Sequence, residues 1–350
     1  MEQKNLMDFT AQETEQFLIS LGEPGYRGRQ IHKWVHQKGI TRFADMTDLP
    51  LKLREKLQTA STPGGLSLDT KKTSGDGTVK YLFGLSDGQA VESVFLPHEY
   101  GNSACVSSQV GCRMGCRFCA STIGGFVRDL TAGEMYAQII GIQDDTGARI
   151  SRVVIMGSGE PADNLTQVLK FISLIISPDG LNIGSRHVTV STCGVVPGIK
   201  RLAVEKPQVT LSVSLHAPND EVRDEIMPIN RKYPLGVLIE ACREYISITN
   251  RRVTFEYALI DGFNDSREQA GELGRLLRGM LCHVNLIPLN AVAERGFRRS
   301  NRAAVKSFKD VLEEMGVPVT IRQEMGAEID AACGQLRRRI LHEQDRSERR

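Results

Sequence analysis

The chain has 350 residues, 41% of them hydrophobic and 25% charged, with a formal net charge of +2, which is ordinary for a globular protein and too small to announce a nucleic-acid binder by bulk charge. That length suits one large domain with a smaller one. No apolar run approaches the ~20 residues a spanning helix needs, and the start, MEQKNLMDFT, lacks the basic-then-apolar layout of a signal peptide, so a cytoplasmic protein with no membrane partner is expected.

In chain order, residues 1–60 read as a small helical domain. Thr10 and Glu13 form a capping-box pattern ahead of a helix over 11–21, Gly22 and Pro24-Gly25 break it, and Tyr26 to Gln37 gives a second helix. A third starts at Pro50. Such a unit serves either as an RNA-contacting domain or as a packing appendage. Residues 61–102 read as a β-hairpin extension, Lys80–Leu85 and Ala90–Leu96 joined across Asp87-Gly88. Glu92 falls inside the second strand, either facing outward or placed there for chemistry.

From 103 to 325 apolar strands alternate with helices. Strands are expected at 104–109, 153–156, 187–191, 209–215, 253–259, 284–288 and 317–321. Helices are expected at 131–142, 164–176, 197–203, 234–246, 266–278 and 301–315. This α/β alternation predicts parallel strands and a partial (β/α)6-type barrel whose chemistry collects after the strand ends. Residues 326–350 form a C-terminal segment with a basic tail. Arginines cluster at 295, 298, 299 and 302, at 337–339, and at 346, 349 and 350, as phosphate contacts or as solvated faces.

Eight cysteines without a secretion signal read as thiols and ligands. Cys193, Cys242 and Cys282 sit in or beside apolar segments and read as buried thiols. Cys112, Cys116 and Cys119 are spaced C-x3-C-x2-C on one loop. Soft thiolates suit zinc or iron–sulfur. Three thiolates on a four-iron cluster leave one iron for a non-protein ligand; the alternative is a zinc knuckle completed by a distant residue. Gly157-Ser-Gly159-Glu160-Pro161 follows a strand, where glycines let a ligand approach the backbone and a glutamate can accept hydrogen bonds from an ammonium. Ser191, then Ser214-Leu215-His216, and Asn290 also sit at strand ends.

The cysteine spacing, with Phe118 before the last cysteine, resembles the radical S-adenosylmethionine (SAM) enzymes. Cys105-Val-Ser-Ser-Gln-Val-Gly-Cys112, Met156-Gly-Ser-Gly-Glu-Pro161, Ser191-Thr-Cys-Gly, Ser212-Val-Ser-Leu-His-Ala-Pro-Asn219 and Ala331-Ala-Cys-Gly-Gln-Leu336 closely resemble the RlmN/Cfr family, which methylates an adenine of 23S ribosomal RNA. The resemblance implies a radical SAM fold, one [4Fe-4S] cluster on Cys112, Cys116 and Cys119, and two SAM molecules per turnover. It implies SAM contacts from Gly159, Glu160, Ser191, Ser214, Leu215, His216 and Asn290. Adenine carbons 2 and 8 are electrophilic, so the implied route methylates Cys333 first. A deoxyadenosyl radical from a second SAM then takes hydrogen from the S-methyl group, and the carbon radical adds to the ring. Glu92 would remove the ring proton, and Cys105 would free the product through a transient disulfide with Cys333. Pro161 and the Gln109–Gly111 context point to carbon 2, whereas Ser158 departs from the pattern. The alternative within the family is the carbon-8, Cfr-type enzyme of antibiotic resistance. Carbon-2 members in some bacteria also modify the adenine beside the tRNA anticodon, which makes tRNA a second candidate substrate. A flavodoxin- or ferredoxin-type electron donor and a monomeric enzyme complete the expectation.

Overall fold

The structure is a computed structural model, and it describes residues 3–290 and 292–336. The arginines at 337–339 and at 346, 349 and 350 lie outside the described residues. Strands β1 (Lys4–Asn5) and β2 (Ser61–Thr62) pair in parallel and tie together the ends of the helical unit. Between them lie α1 (Ala11–Ser20), α2 (Tyr26–His32), continued by one π turn over Lys33–Gln37, and α3 (Leu51–Ala60). The predicted capping box is present: Glu13 N–H donates to Thr10 Oγ1 at 3.2 Å, and Thr10 N–H donates to the Glu13 carboxylate at 2.7 Å. Leu18, Ile31, Val35 and Leu57 of this unit share one apolar core with Tyr136, Ile140 and the strands that follow, so the unit is packed onto the main body.

The next strands are β3 (Ser67–Thr73), β4 (Val79–Gly84), β5 (Ala90–Leu96) and β6 (Asn102–Cys105). A small hairpin of β7 (Gln109–Gly111) and β8 (Phe126–Asp129) then brackets the cysteine loop. After it come α4 (Ala132–Thr146), β9 (Ile150–Ile155), α5 (Leu165–Ile176), β10 (Val188–Thr192), α6 (Val196–Glu205) and β11 (Thr210–Ser214). The chain continues through α7 (Asp220–Ile226), α8 (Leu235–Thr249), β12 (Val253–Leu259), α9 (Arg267–Leu276), β13 (Cys282–Pro288), α10 (Arg302–Glu314) and β14 (Val319–Ile321).

Ten strands form one sheet in the order β14-β13-β12-β11-β10-β9-β6-β5-β4-β3. All neighbours from β6 through β14 are parallel, and helices make the crossovers. This is the expected α/β partial barrel. The predicted hairpin does not stand apart, because β5 pairs antiparallel with β6 and carries the sheet onward. The expected strand over 104–109 stops at Cys105. Beyond it the backbone turns to side-chain partners: Ser107 N–H donates to Gln138 Oε1 at 2.8 Å, and Gln138 Nε2 returns a bond to Ser107 O at 3.0 Å. No helix among the described residues is long and apolar enough to cross a membrane.

Candidate active site

The cysteine loop lies at the C-terminal ends of the parallel strands, over a cavity lined by Cys112, Cys116 and Cys119. The loop is held by its own backbone and by its surroundings. Cys119 N–H donates to Cys116 O at 3.2 Å, Thr122 Oγ1 donates to Cys119 O at 3.0 Å, and Arg295 Nη2 donates to the same carbonyl at 3.1 Å. Burial pushes all three thiols up, Cys112 to about 12; bound cationic iron would reverse that and hold them as thiolates. Among the described residues no three His, Cys, Asp or Glu side chains converge as a single ion would need. Three thiols spread over one cavity fit a cluster in which each binds its own iron.

Six of the seven residues expected to hold SAM line this cavity: Gly159, Glu160, Ser191, Ser214, His216 and Asn290. Glu160 is buried, and its carboxylate is pinned by two amides, Ala162 N–H at 2.9 Å and Cys193 N–H at 2.8 Å. Burial raises its pKa, and those two bonds act against the rise. A carboxylate held this way has lone pairs left for an ammonium. Gly159 has φ +112°, and a Cβ there would lie 2.7 Å from Gln109 Cβ, so only glycine fits. Asn290 Nδ2 donates to Cys333 O at 3.2 Å, while its buried Oδ1 has no partner among the described residues, an acceptor that suits a ligand N–H.

His216 holds a left-handed φ of 60°, and its Nδ1 accepts Ala258 N–H at 2.9 Å. Burial, then the Arg223 charge, brings it down to about 3, so it is neutral and offers Nε2–H as a donor. Leu215 differs from its neighbours: it is buried in the core and does not line the cavity. The strand ends themselves are tied by Arg223, fully buried, which donates to Leu215 O, Ser214 O and Cys193 O at 3.0, 3.1 and 2.8 Å.

Cys333 lines this cavity and also a second one, which Cys105 lines as well. Cys333 is exposed. Burial raises both thiols, Cys105 to about 12, and Arg322 pulls both back. The segment carrying Cys333 is clamped from several sides. Glu328 accepts bonds from Ser74 Oγ at 2.7 Å and Gly75 N–H at 2.6 Å, and Lys80 Nζ donates to Asp330 O at 3.1 Å. Ala120 N–H, on the cysteine loop, donates to Gly334 O at 2.7 Å. All eight cysteines are free thiols.

Glu92 is buried on β5 and paired with Lys80 Nζ at 2.7 Å. Among the described residues it lies outside the lining of both cavities, on the face of β5 that also carries Val94, which packs against Ala331 and Leu336. Sequence reasoning missed Glu256 and Arg322. Glu256 lines the first cavity and accepts Ser212 Oγ at 2.7 Å and Asn285 Nδ2 at 2.8 Å. Its signal was a carboxylate inside an apolar strand, the same signal that marks Glu92. Arg322, one residue past β14, lies 4.0 Å from Glu256 and lines the second cavity.

Residues 4–62 match the family model for the ribosomal RNA large subunit methyltransferase N-terminal domain, and residues 106–273 match the radical SAM superfamily model. The chain is 58% identical to the "Probable dual-specificity RNA methyltransferase RlmN" of Pelotomaculum thermopropionicum, over 96% of this chain and 92% of that protein. It is 53% identical to a protein of the same description from Thermoanaerobacter, covering 97% and 99%. A crystal structure of a radical SAM methyltransferase from Sphaerobacter thermophilus superposes with a TM-score of 0.93 at 46% identity, covering 95% of this chain and 99% of that one.

Proposed function

The chain belongs to the RlmN family of radical SAM RNA methyltransferases, and from that premise we propose that it methylates carbon 2 of an adenine in the peptidyl transferase centre of 23S rRNA. The adenine beside the tRNA anticodon is the second substrate, in line with the dual specificity in the relatives' descriptions. The observation that carries the reading is the place of Cys333, on the wall common to two cavities, with the cluster cysteines in one and Cys105 in the other.

When bound, the [4Fe-4S] cluster and SAM supply the 5′-deoxyadenosyl radical. Cys112, Cys116 and Cys119 hold the cluster. Glu160 receives the ammonium group of SAM, and Ser191, Ser214, the backbone at Leu215, His216 and Asn290 contact the rest. As a thiolate, Cys333 would accept a methyl group from one SAM, with S-adenosylhomocysteine leaving, and present it between the cavities. Glu92 takes the proton that leaves the ring carbon. The Cys105 thiolate attacks the Cys333 sulfur, so that an S–S bond forms as the S–C bond breaks; the bonding pair leaves with the product carbon, which takes up a proton to complete its methyl group.

Residues 1–60 serve as the RNA-contacting module, 61–102 carry the base, 103–325 form the radical SAM barrel, and 326–350 carry the methyl acceptor. The enzyme works as a cytoplasmic monomer fed by a low-potential flavodoxin- or ferredoxin-type donor. The test is anaerobic reconstitution with iron and sulfide, incubation with SAM, reductant and a 23S rRNA fragment, and nucleoside mass spectrometry. 2-Methyladenosine is expected. 8-Methyladenosine would move the reaction to the other carbon, and deoxyadenosine with unmodified RNA would overturn the substrate.

A further inference from the structure

The second cavity has a built rim. His98 and Tyr100, in the turn between β5 and β6, both line it, with ring centroids 4.9 Å apart and planes 9° from parallel. The Arg152 guanidinium lies 4.5 Å from the centroid of the Tyr100 ring. Three flat groups are thus assembled in one place, and Tyr100 is 67% exposed.

The turn is rigid by construction. Gly101 N–H donates to His98 O at 3.0 Å. Gly101 has φ +116°, and a Cβ there would sit 2.3 Å from Ser151 Oγ, so the turn is locked to the start of β9, the strand that also carries Arg152. Burial and the nearby Arg152 charge lower the His98 pKa, which favours a neutral ring with an uncharged π face.

We propose that the His98–Tyr100–Arg152 stack is the platform that receives the nucleotide flanking the target adenine. This rests on the RNA-methylation reading above. A base reaching the thiols of Cys105 and Cys333 must leave its own stack, and the neighbour it leaves behind loses a stacking partner. The exposed Tyr100 ring, beside a half-buried guanidinium, replaces that partner without reading sequence, because every base has a π face. The Arg152 charge also suits the adjoining phosphate.

The test uses the full-length reconstituted enzyme and a fluorescent stem-loop RNA with one loop adenine, read by anisotropy and by methylation. His98→Ala combined with Tyr100→Ala should weaken RNA binding about tenfold, the order expected from losing one base–aromatic stack. SAM cleavage to deoxyadenosine without RNA should be unchanged. Tyr100→Phe, which keeps the ring, should bind as wild type does. An abasic nucleotide beside the target adenine should cost wild type the same tenfold and cost the double variant nothing further. Equal binding by wild type and the double variant overturns the platform, as does an abasic penalty that persists in the variant. Wild-type protein that neither binds nor methylates the stem-loop overturns the RNA reading itself, and the platform with it. A double variant with a collapsed melting temperature shifts the decision to the wild-type abasic comparison alone, where absence of a penalty overturns the platform.

Discussion

The Glu160 carboxylate accepts the backbone N–H of Cys193 at 2.8 Å, bridging the loops that follow β9 and β10. Its other oxygen takes Ala162 N–H at 2.9 Å. The carboxylate is therefore fixed before any ligand arrives, and it is the buried anion of the cavity's glycine loop. Replacing it with glutamine keeps the shape and removes the charge that an ammonium needs. Glu160→Gln should weaken SAM binding by roughly tenfold or more, the scale of a charge-assisted hydrogen bond. Iron and sulfide content should stay at the wild-type level, because Glu160 is not a ligand. Equilibrium dialysis with SAM, beside iron analysis, checks both halves; unchanged SAM affinity would count against the assignment.

His36 gives a stability prediction with a definite sign. It is fully buried, its ring stacks on His32 at 3.9 Å, and its Nε2 lies 3.2 Å from Met7 O. Burial, reinforced by His32, brings its pKa down to about 3, against an ordinary 6.5. Between those values the unfolded chain takes a proton that the folded chain refuses. Stability is thus fully present above about 6.5 and is lost as pH falls toward 3, by up to ~1.4 kcal/mol per pH unit. His36→Gln should flatten the fall in unfolding free energy between pH 7 and 5 by about 1 to 2 kcal/mol. His216, also near 3, keeps its own share of the slope. Urea titrations at pH 7, 6 and 5 decide it, and parallel curves for the two proteins would refute the account.

The barrel was legible because its strands are short apolar runs between amphipathic helices, and the cysteine loop and the Gly157–Pro161 loop stood out because each is a contiguous run. What stayed hidden is non-local or weakly patterned. β3 reads SLDTKKT; it is an exposed edge strand with no apolar face to betray it. The seven-residue α7 is too short for a helical period, yet its Arg223 ties the strand ends. Glu256 and Arg322 come together only when β12 and β14 are placed on either side of β13. Cys105 and Cys333 were paired by resemblance; that they face one cavity is a property of the folded sheet and the clamped C-terminal segment.

The roles proposed for the two thiols that line this cavity can be told apart. Cys333→Ala removes the proposed methyl acceptor but leaves the cysteine loop and the proposed SAM contacts in place. It should still cleave SAM to deoxyadenosine and give no methylated RNA. Cys105→Ala keeps the acceptor and removes the thiol that attacks it, so a covalent protein–RNA adduct should accumulate and survive denaturing electrophoresis. Methylated product from Cys333→Ala would mean direct radical attack on the RNA. Multiple turnovers by Cys105→Ala would remove its resolving role.

Glu92 and Lys80 are diagonal neighbours across β4 and β5, and both are buried. Lys80 also donates to Asp330 O, three residues before Cys333. The pair therefore joins the expected base to the segment that carries the methyl acceptor, and its two members should fail differently. Glu92→Gln keeps a hydrogen-bonding group of the same size and removes the proton acceptor. It should lower the rate of product formation by about 10²–10⁴ while Cys333 still becomes methylated. Lys80→Met removes the ion pair at a buried carboxylate and the hydrogen bond to the Asp330 carbonyl. It should cost about 3 to 5 kcal/mol of stability, with Cys333 methylation reduced as its segment loosens. Peptide mass spectrometry of the Cys333 methyl group, beside chemical denaturation, separates the two outcomes. A Glu92→Gln enzyme with wild-type turnover would assign the ring proton to another base and leave the Lys80–Glu92 pair as a structural clamp.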